Sequence, residues 1–124
     1  MMQSDDDLRA HLRRQLRAAV RGRDRIAVGA LRDAIAALDN AEAVEPGETV
    51  TIVSEFVAGG AVGLGAAEAE RRVLDAEAQR AIVKAEVESR LAAAATYEEH
   101  GQSSRAADLR VSADVLLAAL EASS

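Results

Sequence analysis

The chain has 124 residues, room for one domain and too few for two with separate cores. Apolar residues make up 49% but aromatic residues only 2%, so any core is built from Ala, Leu, Val and Ile, and alanine-rich packing buries little area per residue. The absence of cysteine excludes disulfides, thiolate chemistry and Cys-type zinc sites, no apolar run approaches the roughly 20 residues of a membrane span, and the charged first residues hold no signal-peptide core, so a cytoplasmic protein without a membrane partner is expected.

The net charge of −6 hides an asymmetry. Residues 1–32 carry eight Arg against four Asp, whereas residues 33–124 carry seven basic and seventeen acidic side chains. An acidic surface repels phosphate backbones. Any nucleic-acid contact is therefore expected on the first two helices.

The first helix is expected at about residues 5–21. Ser4 is a good N-cap with Asp7 three residues on, and Asp5 and Asp6 complement the helix dipole. Leu8, Leu12, Leu16, Ala19 and Val20 recur at steps of three and four and define a buried stripe. Arg9, Arg13, Arg14, Arg17 and Arg21 fall largely outside it, and Gly22 reads as the C-terminal stop. A second helix is expected at about residues 24–43 with Asp24 as N-cap and a stripe of Val28, Leu31, Ile35 (with Ala34) and Leu38. Gly29 inside that pattern reads as a close helix crossing rather than a ligand position. The short break makes the two helices antiparallel neighbours.

From about residue 44 to residue 74 the helical period fails. Pro46-Gly47 marks a turn, Val50 to Val53 suits a short extended stretch, Gly59, Gly60, Gly63 and Gly65 crowd together, and Ala66 to Val73 suits a short helical turn. A third helix is expected at about residues 76–100, capped by Asp75, with Ile82 or Val83, Val87, Leu91, Ala94 and Ala95 inward. Gly101 ends it. The fourth, at about residues 104–122, starts near Ser103 or Ser104 and carries Leu109, Ala113, Leu116, Leu117 and Leu120 at heptad-like spacing. The expected fold is all-α: two antiparallel helical hairpins joined by a Gly-rich loop, a small bundle forming a single domain over residues 1–124. The hairpins show no internal repeat beyond amphipathicity.

Chemistry is sparse. The run Gly59 to Gly65 lacks the Lys-Ser or Lys-Thr that a phosphate loop needs, and reads as a flexible linker. His11 and His100 have no helical partner at metal-ligand spacing. Glu86, Glu88, Glu98 and Glu99 read as a solvated face, and Lys84 has no nearby serine in an activating motif. No catalytic residue, metal or cofactor is expected. The strongest remaining signal is arginine: Arg13, Arg14, Arg17, Arg21, Arg23, Arg25 and Arg32 in the first hairpin, and Arg71 and Arg72 before the third helix. The guanidinium fork suits phosphate, and equally suits ion pairs with the acidic helices of the same chain. Without accompanying aromatics, contact with RNA would be to phosphate or shape rather than to sequence.

Several short segments carry a family likeness. Arg23-Asp24, then Leu31-Arg32, then Asn40-Ala41-Glu42 resemble the first hairpin of the GatB/YqeY family. Glu86 to Arg90 with Tyr97 and Gly101 resembles that family's third helix, and Ala107-Asp108-Leu109 through Val115-Leu116 its fourth. Gly63-Leu64-Gly65 with Glu68 and Arg71-Arg72 is similar to a short, actinobacterial-type, YqeY-like variant, here lacking the family's smaller C-terminal domain. The resemblance implies a link to glutamine-dependent tRNA amidotransferases, in which a related helical domain helps hold tRNA. The amidase chemistry belongs to another subunit, although the family name also implies carbon–nitrogen ligase activity with glutamine as amido-N-donor. The expectation is thus a non-catalytic binding module whose partner is tRNA or a protein of aminoacyl-tRNA metabolism, with Asp24, Asn40 and Glu42 as family-motif positions. The alternative is a protein–protein or oligomerisation module, monomer or homodimer, with no nucleic-acid role.

Overall fold

A computed structural model describes residues 7–43 and 74–123. It contains four helices: α1 (Asp7–Arg21), α2 (Arg25–Ala43), α3 (Ala76–Glu99) and α4 (Ser103–Ala122). They pack as two hairpins, α1 with α2 and α3 with α4. Residues Met1–Leu38 and Asp75–Ser124 form one unit, and Asp39–Leu74 a second. The expected turn, extended stretch, Gly-rich linker and short helix between residues 44 and 73, together with Ser4 and its capping partners, lie outside the described residues.

Local chemistry explains the helix starts. The Asp24 carboxylate accepts from Ala27 N at 3.1 Å, and the Asp75 carboxylate from Ala78 N at 2.8 Å, each satisfying a donor left over by the first helical turn. At α4 the cap is Gln102, not a serine, and its side chain makes no capping bond. Replacing Gln102 by Asp is expected to stabilise the chain by roughly 0.5–1 kcal/mol. Thermal unfolding would register this as a raised midpoint, and an unchanged midpoint would mean that water already satisfies this helix end.

The two hairpin turns share one backbone design. After α3, Gly101 N donates to Glu98 O and Gln102 N to Tyr97 O, with Gly101 at φ +76°. After α1, Arg23 N donates to Val20 O and Asp24 N to Ala19 O, with Arg23 at φ +57°. Both are the paired-bond helix stop that needs a left-handed residue just past the helix. The first turn puts arginine where the second puts glycine, and Gly22 sits one position too early to serve. A left-handed non-glycine residue costs about 1–2 kcal/mol. The reason lies in spacing: in both turns the left-handed residue immediately precedes the N-cap, so Asp24 as cap forces position 23.

The seam is narrower than the periodicity suggests. On α1, Leu8 and Leu12 are buried as expected, Leu16 and Ala19 are half-buried, and Val20 is exposed. Arg9, expected outside, is buried and bonded. On α2 the inward line is Ala27, Ala30, Leu31, Ala34 and Leu38, with Val28 and Ile35 displaced to its flanks. On α3, Val83, Val87 and Ala94 are buried with Gln79, while Leu91 and Ala95 are exposed. On α4, Ala106, Ser112, Ala113, Leu116, Ala119 and Leu120 are buried, Leu109 is half-buried and Leu117 is exposed. Small side chains along α3 and α4 let the two helices run close together, which leaves the larger neighbours outside.

Polar ties complete the packing. Arg90 Nε donates to Ser112 Oγ at 2.8 Å, Nη1 to Glu86 Oε1 at 2.7 Å, and Nη2 to Asp33 Oδ2 at 2.7 Å. One side chain on α3 thus bridges to α4 and to α2. Glu86, expected on a solvated face, is half-buried in this network. Arg80 Nη1 donates to Leu120 O at 3.0 Å and closes the C-terminal end of α4.

Candidate nucleic-acid interface

The seven candidate arginines of the first hairpin all reach solvent, unlike the buried Arg9. Arg13, Arg14, Arg17 and Arg21 are exposed on α1, Arg23 in the turn, and Arg25 and Arg32 on α2. Arg71 and Arg72 lie outside the described residues. Arg13, Arg17 and Arg21 follow one another at steps of four, and so share a face of α1.

Their partners distinguish them from the other arginines. Among the described residues, the ion pairs join Arg90 to Asp33 and Glu86, and Arg110 to Glu98. Arg80 bonds the end of α4, and Arg105 lies 5.6 Å from the centre of the Tyr97 ring. None of the seven exposed first-hairpin arginines pairs with a described carboxylate. Arg14 alone has a polar contact, donating from Nη2 to His11 Nδ1 at 3.4 Å. Among the described residues, intramolecular neutralisation does not account for this group.

Three of them surround a depression. Val20, Arg23, Arg25, Val28, Gly29 and Arg32 line it. Arg25, Gly29 and Arg32 follow at steps of four and three, so they lie along one face of α2. Gly29 is exposed, and a Cβ added there would meet nothing within 4 Å. The close helix crossing expected at Gly29 is absent: the seam has turned toward Ala27, Ala30 and Ala34, and the glycine faces outward. An adjoining depression is lined by Arg23, Asp24, Arg25, Ile26 and, from α4, Asp108. No ion pair joins Asp108 to either arginine.

The family-motif positions are dispersed. Asp24 serves as the N-cap of α2. Asn40 is exposed and Glu42 half-buried and bonded, about two to three turns beyond Arg32 along α2. Neither lines the arginine depression. The remaining polar candidates have structural places. His100 Nδ1 lies 2.9 Å from Thr96 O, an acceptor only, so this nitrogen carries the proton and donates at the end of α3. His11 accepts at Nδ1, which leaves its Nε2–H buried without a partner. Lys84 is exposed on α3 and makes no hydrogen bond to a described serine. No three His, Asp or Glu side chains converge on a metal-sized site among the described residues, and no described helix is long and apolar enough to cross a membrane.

No family model, curated protein or solved structure matches this chain.

Proposed function

We propose that this chain is a non-catalytic helical module that binds tRNA, or RNA of similar shape, through phosphate contacts from its first hairpin, the role that the GatB/YqeY likeness implies. The observation carrying this reading is the set of seven exposed arginines without a described carboxylate partner, in a chain whose other described arginines are engaged. Seven guanidinium groups on one hairpin create a positive potential that attracts anions. Phosphate supplies the matching geometry for bidentate contact. Tyr97 on α3 lies beneath Arg105 of α4, so no described aromatic side chain stands beside the arginines of α1 and α2, and phosphate contact is favoured over base stacking.

Mobility shift with total tRNA tests the reading. Binding is expected at low salt and should weaken steeply as salt rises. Converting Arg13, Arg14 and Arg17 to Ala should lower the steepness of the log–log salt dependence by roughly 0.7–0.9 for each phosphate contact removed. No binding at low salt, or binding unaltered in the triple variant, would reject it.

A second reading rests on a different surface. Leu91, Val111 and Leu117 are exposed on α3 and α4, beside small residues that let another helix approach. They favour a protein–protein module. A stable dimer in light scattering, abolished by Leu91→Glu and Val111→Glu, would support that function in place of RNA binding.

A further inference from the structure

We propose that the depression bounded by Arg23, Arg25 and Arg32 is a binding site for a single phosphate group, with Gly29 as its open floor. The proposal rests on the reading of the first hairpin as an anion-binding face, but not on that anion being RNA.

Two locally unfavourable residues meet at this place. Arg23 holds a left-handed backbone position that Gly101 fills without strain in the matching turn. Gly29 interrupts a helix on its exposed side, where any side chain would fit. Packing asks for neither residue. Spacing to the Asp24 cap makes position 23 left-handed, but it does not explain why that position holds arginine where the matching turn holds glycine. When two breaches of local preference line one depression, the depression itself supplies a reason for both.

Each residue then has a physical role. The left-handed backbone fixes where the Arg23 side chain leaves the turn. Arg25 and Arg32 flank the glycine on one helix face, a turn away on either side. The missing side chain at Gly29 lets an anion come down between three guanidinium groups. Val20 and Val28 add apolar sides to the depression. Carboxylates near the site are few: the Asp24 carboxylate accepts from Ala27 N, and Asp108 lines only the adjoining depression. Asp33 is drawn off by Arg90. A phosphodiester of an RNA backbone and the phosphate of a free ligand offer the same chemistry.

The test uses the isotope-labelled full chain, followed by amide NMR in two arms, one titrated with sodium pyrophosphate and one with a short oligouridylate. In at least one arm, saturable shifts are expected at the amides from Arg23 to Arg32, Gly29 included. Gly29→Gln fills the floor without changing charge and suits a helix, and Arg23→Gly removes one guanidinium and the backbone strain. Each variant should raise the thermal midpoint and weaken that binding about tenfold or more. Lys84→Ala, an exposed charge removed from α3 rather than the first hairpin, should leave pyrophosphate binding unchanged. Saturation with oligouridylate alone identifies the RNA backbone as the source of the phosphate. Saturation with pyrophosphate alone supports the site and assigns it to a free phosphate ligand, and the mobility shift with tRNA then decides the RNA function separately. Absence of saturable shifts in both arms, shifts spread evenly along α1 and α2, or wild-type affinity in Gly29→Gln overturns the site. If tRNA still binds in that last case, the RNA reading survives without it.

Discussion

Replacing Leu116 by alanine is expected to lower the stability of the chain by about 3 kcal/mol, within the range of buried Leu→Ala changes. Leu116 is 0% exposed, whereas Leu117, its neighbour on α4, is 36% exposed. Seven of the sixteen buried apolar residues described are alanine, so volume is concentrated in the leucines, with Leu12, Leu31, Leu38 and Leu116 the largest wholly buried. Helices already in close approach through Ala106, Ala113 and Ala119 have little room to collapse into the gap. The same change at Leu117 should cost less than about 1 kcal/mol, because much of that side chain already meets water. Urea unfolding of both variants decides the matter. Equal losses would mean that α4 presents a different face to its neighbours.

Arg90→Ala should cost about 2–3 kcal/mol, the scale for charge-assisted hydrogen bonds lost from a buried place. The Arg90 side chain is 12% exposed and its fork reaches three partners in different directions. The loss is not uniform among them. Asp33 is 65% exposed and recovers water when the arginine goes, so its share is small. The Ser112 hydroxyl is buried on α4 and has no such recourse. A double-mutant cycle should therefore show stronger coupling of Arg90 to Ser112 than to Asp33. Arg90→Lys should rescue little, since a single ammonium cannot span the fork. Coupling confined to Asp33 would show the network to be a surface ion pair.

The helices themselves were legible because their chemistry is local. Asp24 and Asp75 announce N-caps by residue type and position, and Gly101 announces a stop. The inward face was harder to read. In a helix such as α2, where alanine occurs on every side, periodicity favours the bulkier Val28 and Ile35, yet close packing selects Ala27, Ala30 and Ala34. Leu91 and Leu117 were misplaced for the same reason. Arg90 was illegible because its partners Asp33 and Ser112 lie far away along the chain. The left-handed Arg23 had a signal that comparison of the two turns exposes: Arg23-Asp24 stands where Gly101-Gln102 stands, residue before cap. The arginine cluster was visible in the sequence, but whether its members neutralise the chain's own acids was not. The positions of Arg90 and Arg110 show where Asp33, Glu86 and Glu98 are spent.

The alanine seam between α3 and α4 also shapes how the protein responds to its surroundings. Opening it exposes comparatively little hydrocarbon per residue, so the heat capacity of unfolding is small for a chain of this length. The dome of free energy against temperature is correspondingly shallow. Chilling and mild warming shift the balance little, and chemical denaturants act with a gentle slope.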